Sequence, residues 1–185
     1  MKKIITLLFA ITFATSANAA NAWKIIPQKS KIEFRAIQGK SDVSGSFTKF
    51  DGEIFFDPQQ LNTSKINITI NTTSIKTSFS AALEKLRESS WLAINAFPQA
   101  NFKSEKFSAI DGKKYFRSEG ILTIKEKSAP VILDFVLNEY SQTTAHISGK
   151  ATIKRSTFGI GDADPKKADD VLDEVIVMVD VVAQR

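Results

Sequence analysis

The residues Val43-Ser-Gly-Ser-Phe-Thr-Lys-Phe-Asp-Gly-Glu-Ile-Phe-Phe-Asp-Pro58 decide how this chain folds. Val43, Gly45 and Phe47 alternate with Ser44 and Ser46, the period-two pattern of a strand with one buried face. Asp51-Gly52 follows, and a dipeptide of that type between two alternating runs predicts a tight hairpin. The return run Glu53 to Phe56 ends at Asp57-Pro58, because proline has no N–H to give to a ladder. Two short strands are not stable alone, so more sheet is expected on both sides.

The flanking sequence supplies it. Upstream, Ile32, Phe34 and Ala36 alternate with Lys31, Glu33 and Arg35. Downstream, Ile66, Ile68 and Ile70 alternate with Lys65, Asn67, Thr69 and Asn71. The pattern breaks at Ser80 to Leu92, where Leu83, Leu86 and Trp91 recur at helical spacing opposite Glu84, Lys85, Arg87 and Glu88. One short amphipathic helix is predicted there, ending before Phe97-Pro98, as plain core against the sheet or as a lid over a cavity mouth. Strands then resume at Asn101–Phe107, Tyr115–Ile124, Val131–Asn138, Ala145–Ile153 and Val175–Ala183, with Asp111-Gly112 as a second hairpin signal. Eight or nine closely spaced strands with one helix predict an all-β antiparallel sandwich or barrel.

Not all of the 185 residues belong to that domain. Lys2-Lys3, the apolar run Ile4 to Phe13 and Ala17-Asn18-Ala19 read as a secretory signal peptide over residues 1–19. The apolar run is about half of the ~20 residues needed to span a bilayer. Residues 20–185 are then one domain with a substantial core. Removing Lys2 and Lys3 takes the formal charge from +5 to +3. No basic cluster suggests nucleic acid. With no cysteine, neither disulfides nor a lipidated cysteine anchor is available. A soluble periplasmic or secreted protein is expected.

Reactive groups are scarce. The single histidine, His146, starts a strand with no Gly-x-Ser-x-Gly elbow or cysteine nucleophile to serve. One histidine and no cysteine fall short of the usual zinc ligand sets. The acidic stretch Asp162, Asp164, Asp169, Asp170, Asp173 and Glu174 fails as a calcium loop, since Lys166 and Lys167 occupy the fifth and sixth positions. No catalytic or metal site is predicted. The inward set is apolar and rich in rings: Phe34, Val43, Phe47, Ile54, Phe56, Ile66, Ile68, Ile70, Phe102, Leu133, Phe135, Val177 and Val179. A closed eight-stranded sheet holds either packed side chains or one small ligand, and this set serves a solid core as well as a hollow one.

Several motifs in one order give the chain a relative. Val43-Ser-Gly45-Ser-Phe47, Gly52-Glu-Ile54-Phe-Phe56-Asp57-Pro58, Ser74-Ile75-Lys76-Thr77, Leu86-Arg87 through Trp91-Leu92 to Phe97-Pro98, and Arg155-Ser-Thr157-Phe158-Gly159-Ile160-Gly161 resemble the YceI-like family. These are exported, lipocalin-like, polyisoprenoid-binding proteins. The resemblance implies an antiparallel eight-stranded lipocalin-like barrel, with one short helix near the mouth of an apolar tunnel. It implies a ligand but no cofactor: an isoprenoid lipid, quinone or other long-chain amphiphile, touched by the inward set and by Leu86 and Trp91. Lys29 and Gln38 stand where many members carry histidine, Ala93 where an aspartate is usual and Trp91 where a phenylalanine is, which points to a different head group. A homodimer is compatible with all of this. The alternative is a solid barrel docking on a membrane redox protein or another envelope protein through Phe55, Ile176 and Met178. A third reading, an enzyme with acid–base groups in the tunnel, would need His146.

Overall fold

The computed structural model describes residues 22–78, 80–112, 114–161 and 170–185. The predicted signal segment lies outside them, as do Asp162, Asp164 and Asp169. No helix among the described residues is long and apolar enough to cross a membrane.

Eleven strand segments make one sheet: β1 (Trp23–Ile25), β2 (Lys31–Gln38), β3 (Ser41–Phe47), β4 (Phe50–Phe55), β5 (Lys65–Asn71), β6 (Ile75–Thr77), β7 (Gln99–Asp111), β8 (Tyr115–Ile124), β9 (Lys127–Tyr140), β10 (Thr144–Lys154) and β11 (Glu174–Gln184). Their order is β1-β4-β5-β7-β8-β9-β10-β11-β2-β3-β6, and β1 also pairs with β11. Six of the segments are halves of longer strands: β1 continues into β2, β3 into β4, and β5 into β6. Counted that way, the sheet is a closed antiparallel barrel of eight walls, each paired with the next in sequence.

The opening stretch folds differently from its sequence reading. Asp51-Gly52 makes no turn. Both residues lie inside β4, opposite Thr69 and Ile68 of β5. The strand β3 pairs with β2, with Val43 opposite Ala36 and Phe47 opposite Ile32. The reversal is at Gly39-Lys40, where Gly39 takes a left-handed φ of 58°. Val43 to Phe56 is thus one wall strand, bent at Thr48-Lys49. The bend explains the pattern, because inward residues are odd-numbered before it (Val43, Phe47) and even-numbered after it (Phe50, Ile54, Phe56). One extra residue shifts the face, as a bulge does.

The bend is stitched to its neighbour. Ser74 Oγ accepts from the backbone N–H of Thr48 at 3.2 Å and of Lys49 at 3.0 Å. Ser74 itself ends the 3-10 turn Thr72–Ser74 that separates β5 from β6. On the other flank, the turn Pro27–Lys29 separates β1 from β2. There Ser30 Oγ donates to the Ile26 carbonyl at 2.8 Å and accepts from Val182 N–H at 3.0 Å. Three adjacent walls therefore break at neighbouring points with their backbone groups satisfied.

The helix is shorter than its pattern. The helix α1 (Ser80–Arg87) has eight residues, none of them buried. Trp91, Leu92, Ala93 and Ile94 follow it as a tight, buried non-helical segment, with Ala93 at a φ of 49°. Leu83 and Leu86 pack half-buried against the upper core. β7 begins at Gln99, opposite Asn71 of β5, and among the described residues β6 pairs with β3. The helix lies beside β6.

Candidate functional site: an apolar lumen

The inward faces do not fill the barrel. An inner chamber of about 150 Å³ is lined by 23 residues, all of them apolar. An outer chamber of about 510 Å³ opens toward α1. Ile32, Ile70, Leu122, Ile153 and Val177 line both, so the two chambers are neighbours inside the barrel and together make up its lumen.

One end is plugged by rings. Phe56 sits 5.9, 5.4 and 5.6 Å, centroid to centroid, from Phe107, Phe116 and Phe135. Phe116 is 1% exposed. Trp23 closes the floor, donating its indole N–H to the Phe56 carbonyl at 3.1 Å beneath the guanidinium of Arg185, 4.2 Å from its ring centre. Aromatic packing of this kind is rigid and contributes beyond its buried area. The rings crowd the Phe56 end, and Ala81, Ala82, Lys85 and Leu86 of α1 border the outer chamber.

The residues expected to face the interior or the ligand all line one chamber or the other. Ile54, Phe56, Ile66, Ile68, Phe102, Leu133, Phe135 and Val179 line the inner chamber. Phe34, Val43, Phe47, Leu86 and Trp91 line the outer one, and Ile70 and Val177 line both. Pattern reading missed Trp23, Ile25 and Phe50 on the floor side and Leu122 and Ile153 at the junction. The last two sit in recognised strands and share the inward parity of their neighbours, so the signal was present.

Four polar side chains touch the outer chamber: Gln38, Thr72, Lys85 and Arg155. Thr72 donates to the Phe97 carbonyl at 2.7 Å, and Lys85 pairs with Glu88 at 3.2 Å. Arg155 is 1% exposed, and no sequence pattern marked it. It donates to the carbonyls of Ile160 and Val171 at 2.8 Å and of Leu172 at 3.2 Å. Gly161, with φ at 70°, leaves the guanidinium its space, since a Cβ there would lie 2.4 Å from Nη1. Beside it, burial pushes the Asp173 carboxyl up, but hydrogen bonds from Ser156 and the positive charge of Arg155 outweigh this and hold it below the usual range.

Other candidates lie apart from the lumen. His146 alternates with the inward Ala145 and Ile147 on β10, and its Nε2 meets Asp180 at 3.2 Å on the outer face. Among the described residues no three potential ligands gather around a metal position. The expected docking patch divides: Phe55 lies under the Lys65 ammonium, 4.7 Å from its ring centre, while Ile176 and Met178 stand opposite Arg35 and Glu33 of β2. Followed along the wall through Ser46, the separation is roughly 30 Å at ~3.3 Å per residue. The three do not form one surface.

Residues 23–183 match the family model of the YceI-like domain. The chain belongs to the YceI-like family. Among curated relatives, a UPF0312 protein of Pectobacterium atrosepticum is 33% identical over the whole of both chains. Another UPF0312 protein, from Yersinia pestis, is 35% identical over 69% of this chain and 67% of its own. Among solved structures, BcnA of Burkholderia cenocepacia superposes with a TM-score of 0.78 at 27% identity, covering 86% of this chain and 99% of that one. A polyisoprenoid-binding domain from Saccharophagus degradans shares the fold, with a TM-score of 0.68 at 11% identity over 88% and 97% of the two chains. This YceI-like barrel and its neighbours thus agree on architecture even where little sequence is shared.

Proposed function

We propose that this YceI-like protein binds and carries a long-chain isoprenoid lipid, of quinone or polyprenyl type, in its lumen, without catalysing a reaction on it. The observation that carries the reading is the lumen itself: crowded by rings at one end, bordered by α1 at the other and walled almost wholly by carbon. The all-apolar wall of the inner chamber offers water no hydrogen-bond partner, and each buried methylene contributes about 0.8 kcal/mol. One five-carbon unit then contributes roughly 3–4 kcal/mol, so a few units give tight binding without any bond-making group. Family membership and the polyisoprenoid-binding neighbour support the same class of ligand. Export to the periplasm, read from residues 1–19, suits a carrier that moves an oily chain through water.

Organic extraction of the purified protein followed by mass spectrometry tests this. A long isoprenoid chain is expected. Both tryptophans of the chain, Trp23 and Trp91, border the lumen, so adding a quinone to stripped protein is expected to quench intrinsic fluorescence saturably. No lipid in repeated extractions, together with no response to added quinone, overturns the proposal.

A further inference from the structure

The rings at the Phe56 end limit how far a chain can enter the barrel. Phe56 packs on Phe116 and Phe135 with ring centres 5.4 and 5.6 Å away, and those two rings stack on each other at 5.6 Å. Trp23 and Phe116 are each 1% exposed. Tyr140 backs Trp23 at 5.5 Å, and the Trp23 indole N–H is tied to the Phe56 carbonyl. A close-packed set of rings does not part for a chain without losing these contacts.

Just inside the rings the wall is small. Ala145 and Ala183 stand opposite each other on β10 and β11 and line the inner chamber beside Phe56 and Phe135. That chamber has about 150 Å³, a size that takes one benzene in an apolar protein cavity. The outer chamber, about 510 Å³, is a little over three times as large. At roughly six carbons per 150 Å³ the two together hold about 25 carbons, or five isoprene units. Length gives the same answer. The lining runs from Ala145 in the inner chamber to Arg155 in the outer one, ten residues later. Those residues span ~33 Å of strand, and at a tilt of ~40° about 25 Å of axis, room for roughly five extended units.

We infer that this lumen selects its lipid by chain length: the end unit of the chain sits in the inner chamber against the Phe56 rings, and the ceiling is about five isoprene units. The inference rests on the lumen being a lipid site. A shorter chain leaves the inner chamber empty, and a longer one leaves apolar units in water at the α1 end.

Polyprenols of three, four, five, six and nine units share one head group and differ only in length. Equal amounts are offered together to stripped protein in neutral phosphatidylcholine vesicles, and the lipid recovered with the protein is counted by mass spectrometry. The five-unit alcohol is expected to load at least ten-fold more than the nine-unit one. A smaller ratio overturns the ceiling and leaves the lipid site standing. No uptake of any of them, or of a quinone, overturns both. Ala145→Leu adds three carbons to the inner chamber and is expected to move the peak one unit shorter. A folded variant that keeps the wild-type peak overturns the placing of the chain's end in that chamber. If it does not fold, Trp91→Phe decides the same point, because Trp23, on the inner chamber, is then the sole indole. Its emission is expected to change when the five-unit alcohol binds, and an unchanged emission overturns that placing.

Discussion

At the scale of single residues, one dipeptide type has two fates. Asp111-Gly112 is at the reversal between β7 and β8, with Gly112 at a φ of 58° and Asp111 opposite Tyr115. Asp51-Gly52 runs straight through β4. There glycine is needed for a close approach, since a Cβ on Gly52 would lie 2.2 Å from the Asn67 carbonyl oxygen. The letters are the same in both places, and only the neighbouring wall distinguishes them. Gly120 illustrates how such contacts shape the lumen: a Cβ there would meet the Phe102 ring at 2.7 Å and the Lys103 carbonyl at 2.4 Å. Gly120→Ala is therefore expected to cost roughly 1–3 kcal/mol by overpacking and to weaken ligand binding as Phe102 is pushed inward. Urea unfolding and fluorescence titration of the variant measure both effects. Phe56 is a worse probe of binding than its inward position suggested, because it is clamped among three other rings. Phe56→Ala is expected to lose about 3–5 kcal/mol in urea unfolding, whatever the ligand does.

At the scale of elements, the β8–β9 ladder carries a pair whose contribution depends on pH. Arg117 and Asp134 stand directly opposite, joined by bonds of 2.6 and 2.8 Å. The hydrogen bond from Arg117 is the main reason the Asp134 carboxyl titrates below its usual range. A carboxyl lowered in the native state takes up protons more readily when unfolded, so its stabilisation is present above about pH 4 and fades as pH falls through the lower native value. Both side chains are about two-fifths exposed, which keeps the effect under about 1 kcal/mol. Asp134→Asn is expected to show that loss in urea at pH 7 and a smaller one at pH 2.5.

The helix α1 makes the opposite case. None of its residues is buried, so its amides are expected to exchange with solvent faster than those of β9 and β10. Ligand is expected to slow them, read by hydrogen–deuterium exchange on stripped and loaded protein. Its sequence showed helical spacing through Trp91, but only the first eight residues are helical. Trp91 to Ile94 are buried instead as a turn, closed locally by the Ala93 N–H to Glu88 carbonyl bond at 3.1 Å and held by the packing of Trp91, Leu92 and Ile94 in the core. Spacing alone does not distinguish a helical face from a folded-back segment.

At the scale of the whole molecule, the fold class was legible because each wall shows alternation, and alternation has a physical cause in the pleat. The three broken walls were not, because a bulge and a turn change parity in the same way. Nor was the void legible: Phe135, Leu133 and Val177 point inward whether or not anything lies between them. What opens the lumen is the placement of small residues such as Ala100 and Ala151 on its wall and the confinement of the Phe56, Phe107, Phe116 and Phe135 rings to one end. That division gives the last prediction. A barrel with an unfilled apolar centre forgoes contacts that a ligand restores, and a ligand that binds only the folded state stabilises it by mass action. At a free concentration one hundred times its dissociation constant this amounts to about 2.7 kcal/mol. For a domain of this size each kcal/mol moves the midpoint by roughly 2–4 °C. Reloading stripped protein with its extracted lipid is therefore expected to raise the thermal midpoint by about 5–10 °C, followed by circular dichroism. The same lipid is expected to raise Gly120→Ala by less, because Phe102 then occupies part of the space the chain would take.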